Sequence, residues 1–168
     1  GEVQSIGFFA DFIDDAYVPD NTNILEQVTA LLGELLLSPN TRGGLFLSAY
    51  VESEKAKLLE KIRGRVNDKR GYALYRLNEL MCQFENYAVG ALGNEAEAEN
   101  IGYQKLTKHY RSLLASSPIE IFYCGSADFS RVEAALIKAF SGLPRGEFDL
   151  ELGTDIRMNA LEETVRYY

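Results

Sequence analysis

The sequence predicts an α+β fold in which helices cover one face of a sheet. Three observations carry that expectation. The segment "VQSIGFFADFID" alternates, with Ile6, Phe8, Ala10 and Phe12 on one face and Gly7 and Asp11 on the other, the period of a strand. A second apolar run, "IEIFYCG" after Pro118, is also strand-like. Most of the chain between and after them repeats its apolar residues at intervals of three and four, the period of a buried helical face.

Taken in order, the first strand is broken by "VPDNTN", where Asp20, Asn21 or Thr22 is placed to cap the next helix. That helix carries Ile24, Leu25, Val28, Leu31, Leu32, Leu35 and Leu36 on its apolar face and stops at Pro39. "NTRGG" reads as a loop. From about Leu45 a very long helical pattern follows, with Val51, Leu58, Ile62, Val66, Leu74, Leu77 and Met81 as its stripe. Gly64 and Gly71 mark points of kinking or interruption, so two helices or one bent one are expected. "FENYAVGALGNEAEAEN" has the glycines and polar residues of a connection. Helical spacing returns through Tyr103, Leu106, Tyr110 and Leu113, and again through Val132, Leu136 and Phe140 before the turn "GLPRG". The tail "EETVRYY" reads as a short strand. Three strands make a small sheet for so large a helical layer, which suggests that part of the domain is missing from this chain.

The 168 residues suit one domain, and 46% hydrophobic with 25% charged residues is a globular composition. Twenty-five acidic against 17 basic residues give a formal charge of −8, which disfavours nucleic acid and anionic lipid as partners. The basic stretch "KIRGRVNDKR" is interrupted and lies close to acids. No apolar run reaches the roughly 18 to 20 residues of a membrane span, and no leader pattern opens the chain. The expectation is a soluble chain, or a piece cut away from its leader. Cys82 and Cys124 read as buried free thiols rather than a disulfide framework.

Catalytic chemistry is sparse in this sequence. A hydrolytic zinc site takes three protein ligands, usually including histidine, and His109 is the single histidine, without a partner at ligand spacing. No serine elbow or glycine-rich phosphate cradle is present. Paired carboxylates remain: Asp14 with Asp15, and the glutamates of "YVESEKAKLLEKIRG". On a helix Glu52 faces Lys55, Glu54 faces Lys57 and Glu60 faces Arg63, weak surface pairs worth a few tenths of a kcal/mol each. Local physics makes them a solvated face.

Together "FLSAYVESEKAKLLEKIRGRVNDKRGYALYRLNELM", "NYAVGALGNEAEAENIGYQKLTKHYRSLL" and "IEIFYCGSADFSRVEAALIKAF" resemble the pitrilysin (insulinase-like) family of zinc metallopeptidases, which includes the mitochondrial processing peptidase. The resemblance runs from about Val3 to about Leu143. It implies a metallopeptidase-like, processing-peptidase-like domain with a mostly antiparallel sheet covered by helices on one face, its N-terminal strands and helix missing. Residues 1-145 then form the later part of a pitrilysin-type peptidase-like domain. Residues 146-168 form a linker and strand leading toward a second repeat absent from this chain.

Active members of that family carry His-x-x-Glu-His upstream of these segments, and this chain does not contain it. The family also sets two glutamates seven residues apart on the long helix, the second of them the third zinc ligand. Glu54 matches the first, supporting glutamate; Lys61 replaces the second. A protonated ammonium has no lone pair for zinc and repels it. The neighbouring Glu60 is turned away by about 100° of helix. The resemblance therefore implies an inactive homologue with no catalytic residue and no metal ligand of its own: a non-catalytic subunit of a cytoplasmic heterodimer. Such a subunit contributes chamber wall, binds peptide and pairs with an active zinc-peptidase subunit, the holder of the zinc. One alternative is part of an active zinc metalloendopeptidase with its motif upstream and Glu60 or another residue completing the site. Another is an interaction domain unrelated to proteolysis. For the fragment alone, a homodimer is a further option.

Overall fold

The computed structural model describes residues 5–19 and 22–146. These form helices α1 (Ile24–Leu37), α2 (Ser48–Gly64), α3 (Lys69–Met81), α4 (Glu95–Glu99), α5 (Tyr103–Ser116) and α6 (Phe129–Phe140), with strands β1 (Thr41–Arg42) and β2 (Leu45–Phe46). The chain divides into two compact units. One holds Ile6–Glu52 and 102–146; the other holds Ser53–Ile101.

In the first unit α1 packs on α6. Leu25, Thr29 and Gly33 are the buried positions of α1, and Val132 and Ala135 those of α6, both sets at helical spacing. Gly33 permits a close approach: a Cβ there would sit 2.5 Å from the Ala139 carbonyl oxygen. β1 and β2 form an antiparallel pair, Thr41 opposite Phe46 and Arg42 opposite Leu45. Their two-residue link, Gly43 and Gly44, has φ of 60° and 75°. Such left-handed values suit glycine and match the tight turn that right-twisted strands require. β2 packs on α5. There the Phe46 amide donates to the Thr107 hydroxyl at 3.0 Å, the Phe46 and Tyr110 rings meet at 5.4 Å, and the Tyr110 hydroxyl donates to the Leu36 carbonyl at 2.6 Å. Burial of Tyr110 raises its phenol above the ordinary range.

The second unit is built on the end of α2 and on α3. α2 stops at Gly64, a 3₁₀ turn spans Arg65–Asn67, and α3 restarts behind Asp68, whose carboxylate accepts from the Gly71 amide at 3.0 Å. The interruption therefore falls at Gly64. Gly71 lies inside α3 as the donor to its cap and does not break it. The connection contains the short helix α4, capped by Asn94, which accepts from the Glu97 amide at 2.8 Å. The Arg65 guanidinium lies 4.1 Å over the Tyr75 ring and donates to the Gly93 carbonyl at 3.3 Å.

Helices α1, α5 and α6 match the expected segments, and the composition is consistent with α+β. The sheet differs from expectation. Among the described residues the only strands are β1 and β2, β1 in the stretch expected to be loop and β2 where the long helix is expected to begin. Neither 5–14 nor the segment after Pro118 is in a strand, and Phe9 and Phe122 are 86% and 93% exposed. An alternating pattern sets which residues share a face, but a strand also needs a neighbour to exchange hydrogen bonds with. "EETVRYY" lies outside the described residues.

Three further expectations are corrected. Asn23 precedes α1 without a side-chain cap; instead Asp15, nine positions earlier, accepts from the Ile24 amide at 2.8 Å. Asp20 and Asn21 lie outside the described residues. Cys124 is exposed and Cys82 half-buried, since the segment carrying Cys124 pairs with no strand among the described residues. Of the expected stripe, Val66, Leu74, Leu77 and Met81 are exposed, while Val51 is buried.

Candidate functional site

Helix α2 carries the residues that the sequence singles out. Glu54 pairs with Lys57 at 2.5 Å, one helical turn on, with both side chains more than half exposed. Such a pair adds little stability, because water already solvates both ions. α2 remains helical through Lys61, so Glu54 and Lys61 project from one side of the helix, two turns and about 10 Å apart. Lys61 and Glu60 are both exposed. The half-buried Leu58, four residues after Glu54 and three before Lys61, lies on that same side of the helix, with Ile62 toward its edge.

Glu60 does not hold Arg63 as expected. Arg63 turns to the connection, where its Nε meets Glu95 at 2.6 Å and its Nη2 meets Glu99 at 3.3 Å. The hydrogen bond to Glu95 raises the Arg63 pKa further. Lys55 donates to the Ile101 carbonyl at 3.1 Å. Two cations of this helix are thus spent on holding the segment 95–101, and Arg65 of the basic stretch is held over Tyr75.

The described residues around Lys61 do not fit a zinc ion. Among the described residues no three of His, Cys, Asp and Glu come together to hold a metal. His109 is exposed on α5. No catalytic step through a metal follows from this arrangement.

Asp14 and Asp15, the adjacent carboxylates, have separate structural tasks. Asp14 accepts from the Ala16 amide at 2.8 Å and from the Ser126 hydroxyl. Asp15 and Glu26 converge on Arg131 of α6: its Nε reaches Glu26 at 2.7 Å, and its Nη2 reaches Glu26 at 2.6 Å and also Asp15. The Arg131 hydrogen bonds lower the pKa of Asp15 and of Glu26, and those of Glu26 and Asp15 raise that of Arg131. Three segments far apart in sequence are joined here. No local spacing rule points to Arg131; the one available sign was its charge on the edge of an apolar helix.

The chain is similar to a longer bacterial protein. Over 140 residues, 83% of this chain, it is 31% identical to the "Probable inactive metalloprotease YmfF" of Bacillus subtilis (strain 168). The matched stretch is 33% of that protein, so the chain spans about a third of its relative. No protein-family model matches the chain, and no solved structure matches it significantly. Among the described residues no helix is long and apolar enough to cross a membrane.

Proposed function

We propose that this chain is a non-catalytic, metallopeptidase-like domain of the pitrilysin type, residues 1-145 forming the later part of that domain. Its role is to supply chamber wall, to grip an extended peptide and to pair in the cytoplasm with an active zinc-peptidase subunit. The observation that carries the reading is Lys61. It occupies the position, two turns after Glu54 on the same continuous helix, at which the resemblance expects the third zinc ligand. A cation there disfavours zinc through both charge and the missing lone pair. The similarity to a protein named as a probable inactive metalloprotease supports an inactive, metallopeptidase-like relationship.

Elemental analysis of zinc in the intact protein tests the reading. Zinc far below one equivalent is expected, since tight binding needs a preformed set of deprotonated ligands. Stoichiometric zinc that disappears on Glu60→Gln would overturn it in favour of an active enzyme. Pairing is tested separately, by stimulation of an active metallopeptidase from the same cell on addition of the intact protein.

A further inference from the structure

Residues 6–19 lie on the first unit with almost no apolar anchorage. None of them is buried, only Ala10, Asp14, Asp15 and Val18 are half-buried, and Ile6 and Tyr17 are 72% and 77% exposed. Among the described residues, the hydrogen bonds and ion pairs that tie this segment to the rest of the unit all come from two adjacent carboxylates. Asp14 accepts from the Ser126 hydroxyl, and Asp15 meets both the Ile24 amide, at 2.8 Å, and the Arg131 guanidinium. These partners converge in space: Ile24 opens α1, while Ser126 and Arg131 bracket Phe129, the first residue of α6. The backbone bonds of the turn at 15–17, from the Tyr17 amide to the Asp14 carbonyl and from the Val18 amide to the Asp15 carbonyl, stay within the segment.

From this arrangement we infer that Asp14 and Asp15 form a polar latch that fastens residues 6–19 across the starts of α1 and α6, and that the segment opens as a unit while the two helices stay packed. The reason is an asymmetry around Arg131. Its guanidinium has a second partner in Glu26, which it meets through Nε at 2.7 Å and Nη2 at 2.6 Å, so departure of Asp15 leaves the cation paired. Helices α1 and α6 also bury Leu25, Thr29, Val132 and Ala135, and that burial does not depend on Asp15. The segment has no such reserve. Its latch is partly wet, with the Arg131 and Asp15 side chains 37% and 23% exposed, so water competes for both ions. Regions held by few buried contacts open at a fraction of the cost of global unfolding. Opening also takes the Asp15 carboxylate from the Ile24 amide, which loosens the first turn of α1. The inference uses the first unit alone and does not rest on the proposed non-catalytic role.

Distances between spin labels in the full 168-residue chain, measured by double electron–electron resonance, test it. In a Cys82→Ser, Cys124→Ser background, labels at Tyr17→Cys and Ile137→Cys report the segment against α6, and labels at Leu31→Cys and Ile137→Cys report α1 against α6; all three positions are exposed. Both pairs are expected to give one narrow distance. Asp15→Ala should raise the ratio of broad to narrow signal for the first pair roughly 10-fold or more, as for loss of a hydrogen bond to a charged group, and leave the second pair narrow. Asp11→Ala, which removes an exposed carboxylate of the same segment, should change neither. A first pair that stays narrow in Asp15→Ala, or is already broad without it, overturns the latch. So does equal opening in Asp11→Ala. Broadening of the second pair in Asp15→Ala, or loss of its helical circular dichroism, overturns the independence of the segment from the helices.

Discussion

Replacing Gly33 with alanine probes the closest approach between α1 and α6. At an unhindered helix interior this change is favourable by about 1 kcal/mol, because alanine loses less backbone freedom on folding. Gly33 is not unhindered. An added Cβ would lie 2.5 Å from the Ala139 carbonyl oxygen, 3.1 Å from its carbonyl carbon and 3.3 Å from its Cβ. Two of these atoms are backbone and cannot swing aside, so the helices must separate by about 0.9 Å to bring 2.5 Å up to the 3.4 Å of ordinary contact. Overpacking of this kind costs about 1–3 kcal/mol. Set against the gain of about 1 kcal/mol in helix propensity, Gly33→Ala should destabilise by up to about 2 kcal/mol. Gly64, which ends α2, is the internal control: a Cβ there meets nothing closer than the Asn67 side-chain nitrogen at 3.9 Å. Gly64→Ala should therefore be neutral or stabilising by a few tenths of a kcal/mol or more. Urea unfolding followed by far-ultraviolet circular dichroism measures both. If Gly33→Ala raises the midpoint as Gly64→Ala does, the close contact of α1 with Ala139 is wrong.

Two other outcomes follow from the first unit. Asp15 and Glu26 have folded pKa values below their unfolded ones, so their contribution is complete above the ordinary carboxylate values of 3.8 and 4.5 and is lost as pH falls through the lowered folded values. Arg131→Met should reduce stability at neutral pH and flatten its decline in acid, measured as urea midpoints across a pH series; an unchanged acid slope would show that Arg131 does not hold these carboxylates. Tyr110→Phe removes the donor to the Leu36 carbonyl while keeping the ring against Phe46, and should cost about 1 kcal/mol in the same assay. A neutral result would mean that water replaces the hydroxyl.

The parts of this fold that can be read in the sequence are those whose causes are local. α1, α5 and α6 announce themselves because a helix makes its hydrogen bonds within a few residues and its apolar face repeats within one turn. That Glu54 and Lys61 share a side of α2 follows from the same periodicity, and that an ammonium is no zinc ligand follows from its chemistry alone; of the two glycines that could break the long helix, only the structure selects Gly64 over Gly71. Other features depend on residues brought from far along the chain. Asp15 caps α1 and joins Arg131 across more than a hundred residues, and Arg63 finds Glu95 and Glu99 rather than Glu60. The alternating stretch from Ile6 to Phe12 and the apolar run after Pro118 state a preference for extended backbone, yet pairing is a property of two segments, and neither is in a strand among the described residues. Sequence alone thus determined the helices and the charge at position 61. Tertiary structure alone decided which carboxylates those cations meet and which apolar faces stay in water, because those outcomes are set by distance in space rather than along the chain.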